Sequence, residues 1–301
     1  MVESIFPSFF VIGAQKSGTT TLHQWLKNEP KICLPNHKET HFFSKNEHYA
    51  KGISWYIEQF PDSSQKEIVG EIDPDYLFFP HVPSRIRTYY KSPKFICILR
   101  HPLKRAYSHY LMTVQRCSEQ LSFPEALDAE AKRSNPEDSF FMNHHSYLSR
   151  GMYYSQINRF QRIFPESRFL YIKFDDLFHP STCEATYFRI CNFIGFQPIK
   201  SRFDLTKRYN RASQVRSPFL SRLVHSQNAA KTVASLFIRS EHFKFRIAYL
   251  VDSLNKRPYH SIPDRWQGEI PPSIKDVIHS EVTKTAELTN LDLSDWLQEE
   301  M

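Results

Sequence analysis

Glycine is scarce in this chain, with seven residues in 301. Two of the seven frame the segment Gly13-Ala14-Gln15-Lys16-Ser17-Gly18-Thr19-Thr20-Thr21, directly after an apolar run. Glycine permits positive φ and close backbone approach. A loop that opens a helix aims several N–H groups and the positive end of the helix dipole at one point. The segment therefore reads as an anion site.

The spacing G-x-x-x-x-G is that of a phosphate-binding Walker A loop, but that motif needs lysine directly after the second glycine, where this chain has Thr19. The lysine stands inside the turn, at Lys16. A cation there would meet the bridging oxygen between a phosphate and a transferring group, where charge builds as the donor leaves. A second set of reactive side chains is Lys38-Glu39-Thr40-His41-Phe42-Phe43. If this segment is extended, Glu39 and His41 lie on one side. A third is Arg100-His101-Pro102-Leu103-Lys104-Arg105-Ala106-Tyr107-Ser108. Arg100 follows a buried strand, at the carboxyl end where open sheets bind ligands, and Ser108 comes about two helical turns later. Arginine and serine converging on one phosphate is sound chemistry. Taken alone, the same text also fits a buried arginine at a helix start.

The elements that must position these groups alternate strand and helix, the pattern of a parallel sheet covered on both faces. Strands are expected at Phe9 to Gly13, Glu67 to Ile72, Lys94 to Leu99 and Phe169 to Phe174. Helices are expected at Thr19 to Lys27, Leu103 to Val114, Phe123 to Ala131, Tyr154 to Phe164, Ser181 to Ile194 and Ser273 to Leu288, with a closing segment from Leu291 to Leu297. Residues 217–257 mix basic and apolar positions at helical spacing and read as a helical insertion or cap. The whole, 1–301, is read as a single domain.

At these residues the chain resembles the sulfotransferases that use 3'-phosphoadenosine-5'-phosphosulfate (PAPS), and more narrowly the heparan-type glycosaminoglycan sulfotransferases, as a soluble member. The loop G-A-Q-K-S-G-T-T-T-L matches their 5'-phosphosulfate loop. The resemblance implies a P-loop-like three-layer α/β fold with a central parallel sheet flanked by helices. It assigns Lys16, Ser17, Gly18, Thr19, Thr20 and Thr21 to the phosphosulfate, and Arg100 and Ser108 to the 3'-phosphate. The stretch K-E-x-H-F-F is similar to the one in which the heparan-type enzymes carry their catalytic base, which implies that role for Glu39 and a supporting one for His41; His37, His101 and His109 are weaker candidates. Lys207 to Arg211 sits where the family closes a loop over the nucleotide, so Arg208 and Asn210 are expected donor contacts. Arg150-Gly151-Met152-Tyr153 fits the family and reads as architectural.

Gly70-Glu71-Ile72-Asp73-Pro74-Asp75-Tyr76 resembles the next acceptor-side segment, which implies acceptor contacts from Asp73, Asp75 and Tyr76. The heparan-type enzymes carry lysine where this chain has Ile72. Asp73 and Asp75 would repel a polyanion. The expected acceptor is therefore a neutral or cationic small molecule, such as a natural product, or a sugar, sulfated on a hydroxyl or amine by in-line displacement. A polyanionic glycan acceptor and a P-loop nucleotide kinase are the alternatives. The kinase would need magnesium and ATP, which Thr19 in place of the Walker lysine fits poorly.

Composition sets outer bounds. Apolar residues at 41%, aromatics at 15% and charged residues at 24% suit a folded domain with a sizeable core. A net charge of +7 suits an anionic ligand and is too mild for nucleic acid. The five cysteines show no C-x-x-C pair or zinc spacing, so no metal is expected and a reduced, cytoplasmic setting is. No run reaches the roughly 18 apolar residues that span a bilayer. PAPS as donor, the desulfated nucleotide PAP as product, and a monomer or homodimer complete the expectations.

Overall fold

The computed structural model describes residues 7–60, 66–135, 138–198, 205, 213–215, 256–258 and 270–298. The chain groups into two compact units, one of residues 1–105, 150–210 and 275–301, the other of 106–149 and 211–274. The first holds the parallel sheet. Its strands are β1 (Phe9–Gly13), β2 (Ile32–Cys33), β3 (Ile68–Ile72), β4 (Lys94–Leu99) and β5 (Phe169–Lys173), in the spatial order β2-β3-β1-β4-β5. Every neighbouring pair is parallel. This is the expected α/β sheet, flanked by helices.

Both faces of the sheet are apolar, as parallel strands require. On one face Phe9 and Val11 pack with Leu22 and Trp25 of helix α1 (Thr19–Lys27) and with Tyr187 and Ile190 of the helix Cys183–Ile194. On the other, the Phe10 ring meets Tyr90 edge-on at 5.1 Å, and Phe95 meets Phe160 at 5.3 Å and Phe164 at 4.9 Å. Each buried aromatic contributes about 1.5–3 kcal/mol relative to exposure. The register pairs Phe10 with Glu71 and Val11 with Ile72. Glu71 therefore shares the Phe10 face, while Ile72 lies in the Leu22–Trp25 core.

Gly70 lies opposite Phe9 in the ladder. A Cβ on Gly70 would stand 2.1 Å from the Phe9 ring, so the small residue makes room for the large one. Gly70→Ala is expected to destabilise the fold by about 2 kcal/mol, as overpacking does. The check is urea unfolding, with a lower midpoint at unchanged slope.

The expected strands and long helices recur within a residue or two of their anticipated ends, including Pro102–Gln115, Phe123–Arg133, Tyr153–Ile163 and Pro272–Thr289. Among the described residues several short elements were not anticipated, including β2 and the helices Asn46–Tyr49, Gly52–Ile57, Val82–Tyr89, Ser139–His144 and Phe174–Phe178. Two to eight residues are too few for a period to stand out.

In the second unit, the helix Phe123–Arg133 opens with a capping box between Ser122 and Glu125. Glu119 pairs with Arg133 at 2.6 Å and accepts from the Tyr147 hydroxyl at 3.0 Å. Strands Ser213–Val215 and Lys256–Pro258 pair antiparallel. Lys256 and Arg257 are thus extended where a helical insertion was expected, and the rest of 217–257 lies outside the described residues.

Candidate active site

Strand order reverses at β1, which lies between β3 and β4, and the carboxyl ends of such strands are where open sheets bind ligands. Three exits run side by side here. Ala14 N–H donates to the Ile98 carbonyl at 2.7 Å, while Asp73 N–H and Leu77 N–H donate to Val11 and Ile12 at 3.0 and 2.8 Å. The loop after β1 turns through left-handed backbone at Lys16 (φ 70°) and Gly18 (φ 84°). Gly18 is needed on two counts, because a Cβ there would also stand 2.4 Å from the Phe178 ring. Helix α1 begins at Thr19, so the first helical N–H groups lie at the loop. Ser17, Thr19 and Thr21 are buried, whereas Lys16 and Thr20 are partly exposed.

Arg100, at the exit of β4, donates from Nη1 to the Lys16 carbonyl at 3.1 Å and lies 4.6 Å over the Phe174 ring. The Tyr153 hydroxyl donates to the Arg100 carbonyl at 2.8 Å, and burial pushes that phenol up to about 12. The loop and the arginine are thus locked to each other. Ser108 is half-buried on the helix Pro102–Gln115 and belongs to the second unit. Arg208 and Asn210 lie outside the described residues.

The exit of β3 carries the other chemistry. Glu39 and His41 are not extended; both have left-handed backbone, at φ 66° and 53°. Their side chains still converge, with His41 Nε2 at 3.9 Å from Glu39 Oε2. His41 N–H donates to Asp73 at 3.0 Å, and its Nδ1 lies 3.1 Å from Asp73 Oδ2 and 3.5 Å from Asp75 Oδ2. Thr40, between Glu39 and His41, is held by Glu71. Lys38 Nζ donates to Glu39 Oε1.

The residues expected to contact the acceptor are buried. Asp73 and Tyr76 are both 0% exposed and face the inner side of the Glu39–His41 segment. Asp73 also accepts from Asp75 N–H, and the Tyr76 hydroxyl donates to Glu71. Asp75 is buried too, bound to Arg150 at 2.6 Å. Arg150, read from sequence as architectural, is therefore the counter-charge of this cluster. Ile72 packs in the core rather than lining the cleft.

The electrostatics follow from these pairings. Burial alone would lower the His41 imidazole, but the Asp73 carboxylate, its hydrogen bond and Asp75 together hold it above the usual histidine range. Burial raises Asp75 less than Arg150 and His41 lower it, so its carboxyl lies below the usual range. Burial brings the Lys38 ammonium down to about 8, against the pull of Asp73 and Asp75. His41, Asp73 and Asp75 each offer an atom within 4.8 Å of the others, a set able to ligate a cation, although Arg150 already engages Asp75. Of the weaker bases, His101 accepts from Leu103 N–H at Nδ1 and so donates from Nε2 to the Trp296 carbonyl at 3.3 Å. His109 Nε2 is bonded to the Asn143 carbonyl at 3.1 Å. His37 is exposed. Sequence reading missed Glu71 and the part played by Arg150. The available signal for Glu71 was its position in a strand between Gly70 and Ile72, alternating with a core residue.

Among the described residues no helix is long and apolar enough to cross a membrane. A curated relative is the membrane-associated sulfotransferase kil1 of Dictyostelium discoideum, 38% identical over 112 residues, which cover 36% of this chain and 23% of that protein. Another is heparan sulfate glucosamine 3-O-sulfotransferase 3A1 of Mus musculus, 28% identical over 193 residues, covering 64% and 47%. The match thus spans under half the length of these relatives. Among solved structures, a sulfotransferase from Alicyclobacillus acidocaldarius superposes with a TM-score of 0.65 at 22% identity, over 97% of this chain and 98% of that one. Mouse sulfotransferase SULT7A1 complexed with PAP gives 0.52 at 16% identity, over 98% and 89%. The family model described as the sulfotransferase domain matches residues 6–257, which include all five strands and the three exits, and the chain belongs to that family.

Proposed function

We propose that this chain transfers a sulfuryl group from PAPS to a hydroxyl or amine of a neutral or cationic acceptor, a small molecule or a sugar. The observation that carries the reading is the meeting of three strand exits at one sheet edge: the Lys16 loop after β1, the segment gripped by β3, and Arg100 after β4. Lys16, Ser17, Gly18, Thr19, Thr20 and Thr21 would hold the 5'-phosphosulfate, since left-handed backbone at Lys16 and Gly18 and a helix N-terminus suit an anion. Arg100 would engage the 3'-phosphate. As the acceptor oxygen or nitrogen bonds to sulfur, Glu39 takes its proton and Lys16 meets the charge left on the 5'-phosphate as the bridging S–O bond breaks. Glu39 suits the base role better than His41, because the Asp73 and Asp75 carboxylates outweigh burial and favour the protonated imidazole, the form that accepts no proton.

The acceptor class rests on how the local cations are engaged. Lys38 binds Glu39, His41 binds Asp73 and Arg150 binds Asp75, so none of these three is presented to sulfate groups of a polyanion. The likeness to a heparan sulfate 3-O-sulfotransferase favours the glycan as second reading. Transfer from radiolabelled PAPS to neutral alcohols, amines and heparin-type chains separates the two; heparin as best acceptor overturns the first. Calorimetry with PAP tests the donor. Removing a charge-assisted contact costs about 1.5–3 kcal/mol, so Arg100→Ala is expected to weaken PAP roughly 10- to 150-fold. Preference for ATP with magnesium over PAP would instead favour a kinase.

A further inference from the structure

Glu71 is wholly buried, yet the transfer chemistry makes no use of it. Its Oε1 accepts from the Thr40 N–H at 3.3 Å and from the Thr40 hydroxyl, and its Oε2 accepts from the hydroxyls of Tyr56 at 2.6 Å and Tyr76 at 3.0 Å. Two residues on, Asp73 takes the N–H of His41. The end of β3 therefore grips two consecutive amides of the segment that carries Glu39 and His41. Left-handed backbone at two non-glycine residues so close together persists only where surrounding contacts impose it. Phe42 and Phe43, both fully buried, anchor the segment on its far side, with Phe42 stacked on Tyr56 at 4.7 Å.

We infer that Glu71 is a positioning residue, which holds Thr40 by both amide and hydroxyl and so imposes the turn that aims Glu39 and His41 at the acceptor. This rests on the reading above of Glu39 and His41 as the acceptor-side pair. Glu71 does not meet substrate itself: it is 0% exposed, and burial followed by the nearby Asp73 brings its carboxyl up to about 7.

The test compares Glu71→Gln, Thr40→Val and Thr40→Ser by two readouts. Histidine-selective nitrogen NMR reports the His41 ring, with His101, tied to the Trp296 carbonyl, as the control for an intact fold. Steady-state transfer from PAPS, with the best acceptor of the panel, reports kcat, and calorimetry reports PAP affinity. Glutamine keeps the volume but replaces one accepting oxygen with a donor. Glu71→Gln and Thr40→Val are expected to shift the His41 resonances and lower kcat, by roughly 100-fold for a misplacement near 1 Å, with PAP affinity unchanged. Thr40→Ser restores both. His41 resonances unmoved in Glu71→Gln and Thr40→Val overturn the proposal, and should Glu71→Gln fail to fold, the Thr40 pair decides alone. Moved resonances with undiminished transfer support the positioning role and overturn the catalytic reading of Glu39 and His41 instead.

Discussion

The Lys16→Ala enzyme is expected to transfer sulfuryl roughly 100- to 1000-fold more slowly than the parent, the cost of removing one preorganised charge from a transition state. Lys16 sits in a left-handed turn, its carbonyl tied to Arg100, so its backbone is fixed before any ligand arrives. A cation so placed needs no rearrangement at the moment charge develops on the departing phosphate. PAP affinity should fall much less, because PAP carries no sulfuryl group and the Lys16 charge acts most strongly on the separating one. Single-turnover transfer and calorimetry measure the two effects apart. Equal losses in both would mean that Lys16 only binds the nucleotide, and an unchanged rate would sink the mechanism.

Glu39→Gln is expected to lower kcat by about 100- to 10,000-fold, the range for a general base. Glutamine keeps the shape and one acceptor but takes no proton. His41 stands 3.9 Å away, yet its pairing with Asp73 favours the protonated ring and leaves it ill suited to replace the lost base. The loss should therefore persist in Glu39→Gln/His41→Ala with little further change. The substitution also frees the Lys38 ammonium, whose partner is the Glu39 carboxylate. A heparin-type chain tested on Glu39→Gln should bind more tightly than it does to the parent, read by calorimetry, if engagement of that lysine is what turns a polyanion away. Transfer at the parental rate would rule Glu39 out as the base.

The sheet and the glycine-framed loop were legible in sequence because both are local. Phe9 to Gly13 is a short apolar run, and Lys94 to Leu99 another; each length and pattern is that of a buried strand. The two glycines and Lys16 lie within six residues, and the geometry they need is encoded by those residues alone. Helix α1 was equally clear, since Leu22, Trp25 and Leu26 recur at its period.

The acceptor side was legible in its residues but not in its arrangement. Glu39 and His41 stand out as text, but their backbone conformation does not, and positive φ at both comes with contacts to residues some thirty positions away. The same holds for Asp73, Asp75 and Tyr76. From sequence they are polar groups beside a proline, free to face a substrate; in the fold, strand alternation turns Glu71 and Asp73 inward and Ile72 to the opposite core. Arg150, 75 positions from Asp75, then supplies the charge that lets the carboxylate stay buried. By itself the sequence determined what is encoded over a few residues: the strands, the anion loop and the family they mark. Only the tertiary structure decided which carboxylates face outward and which hold others in place, because burial and hydrogen bonding are set by partners distant in the chain.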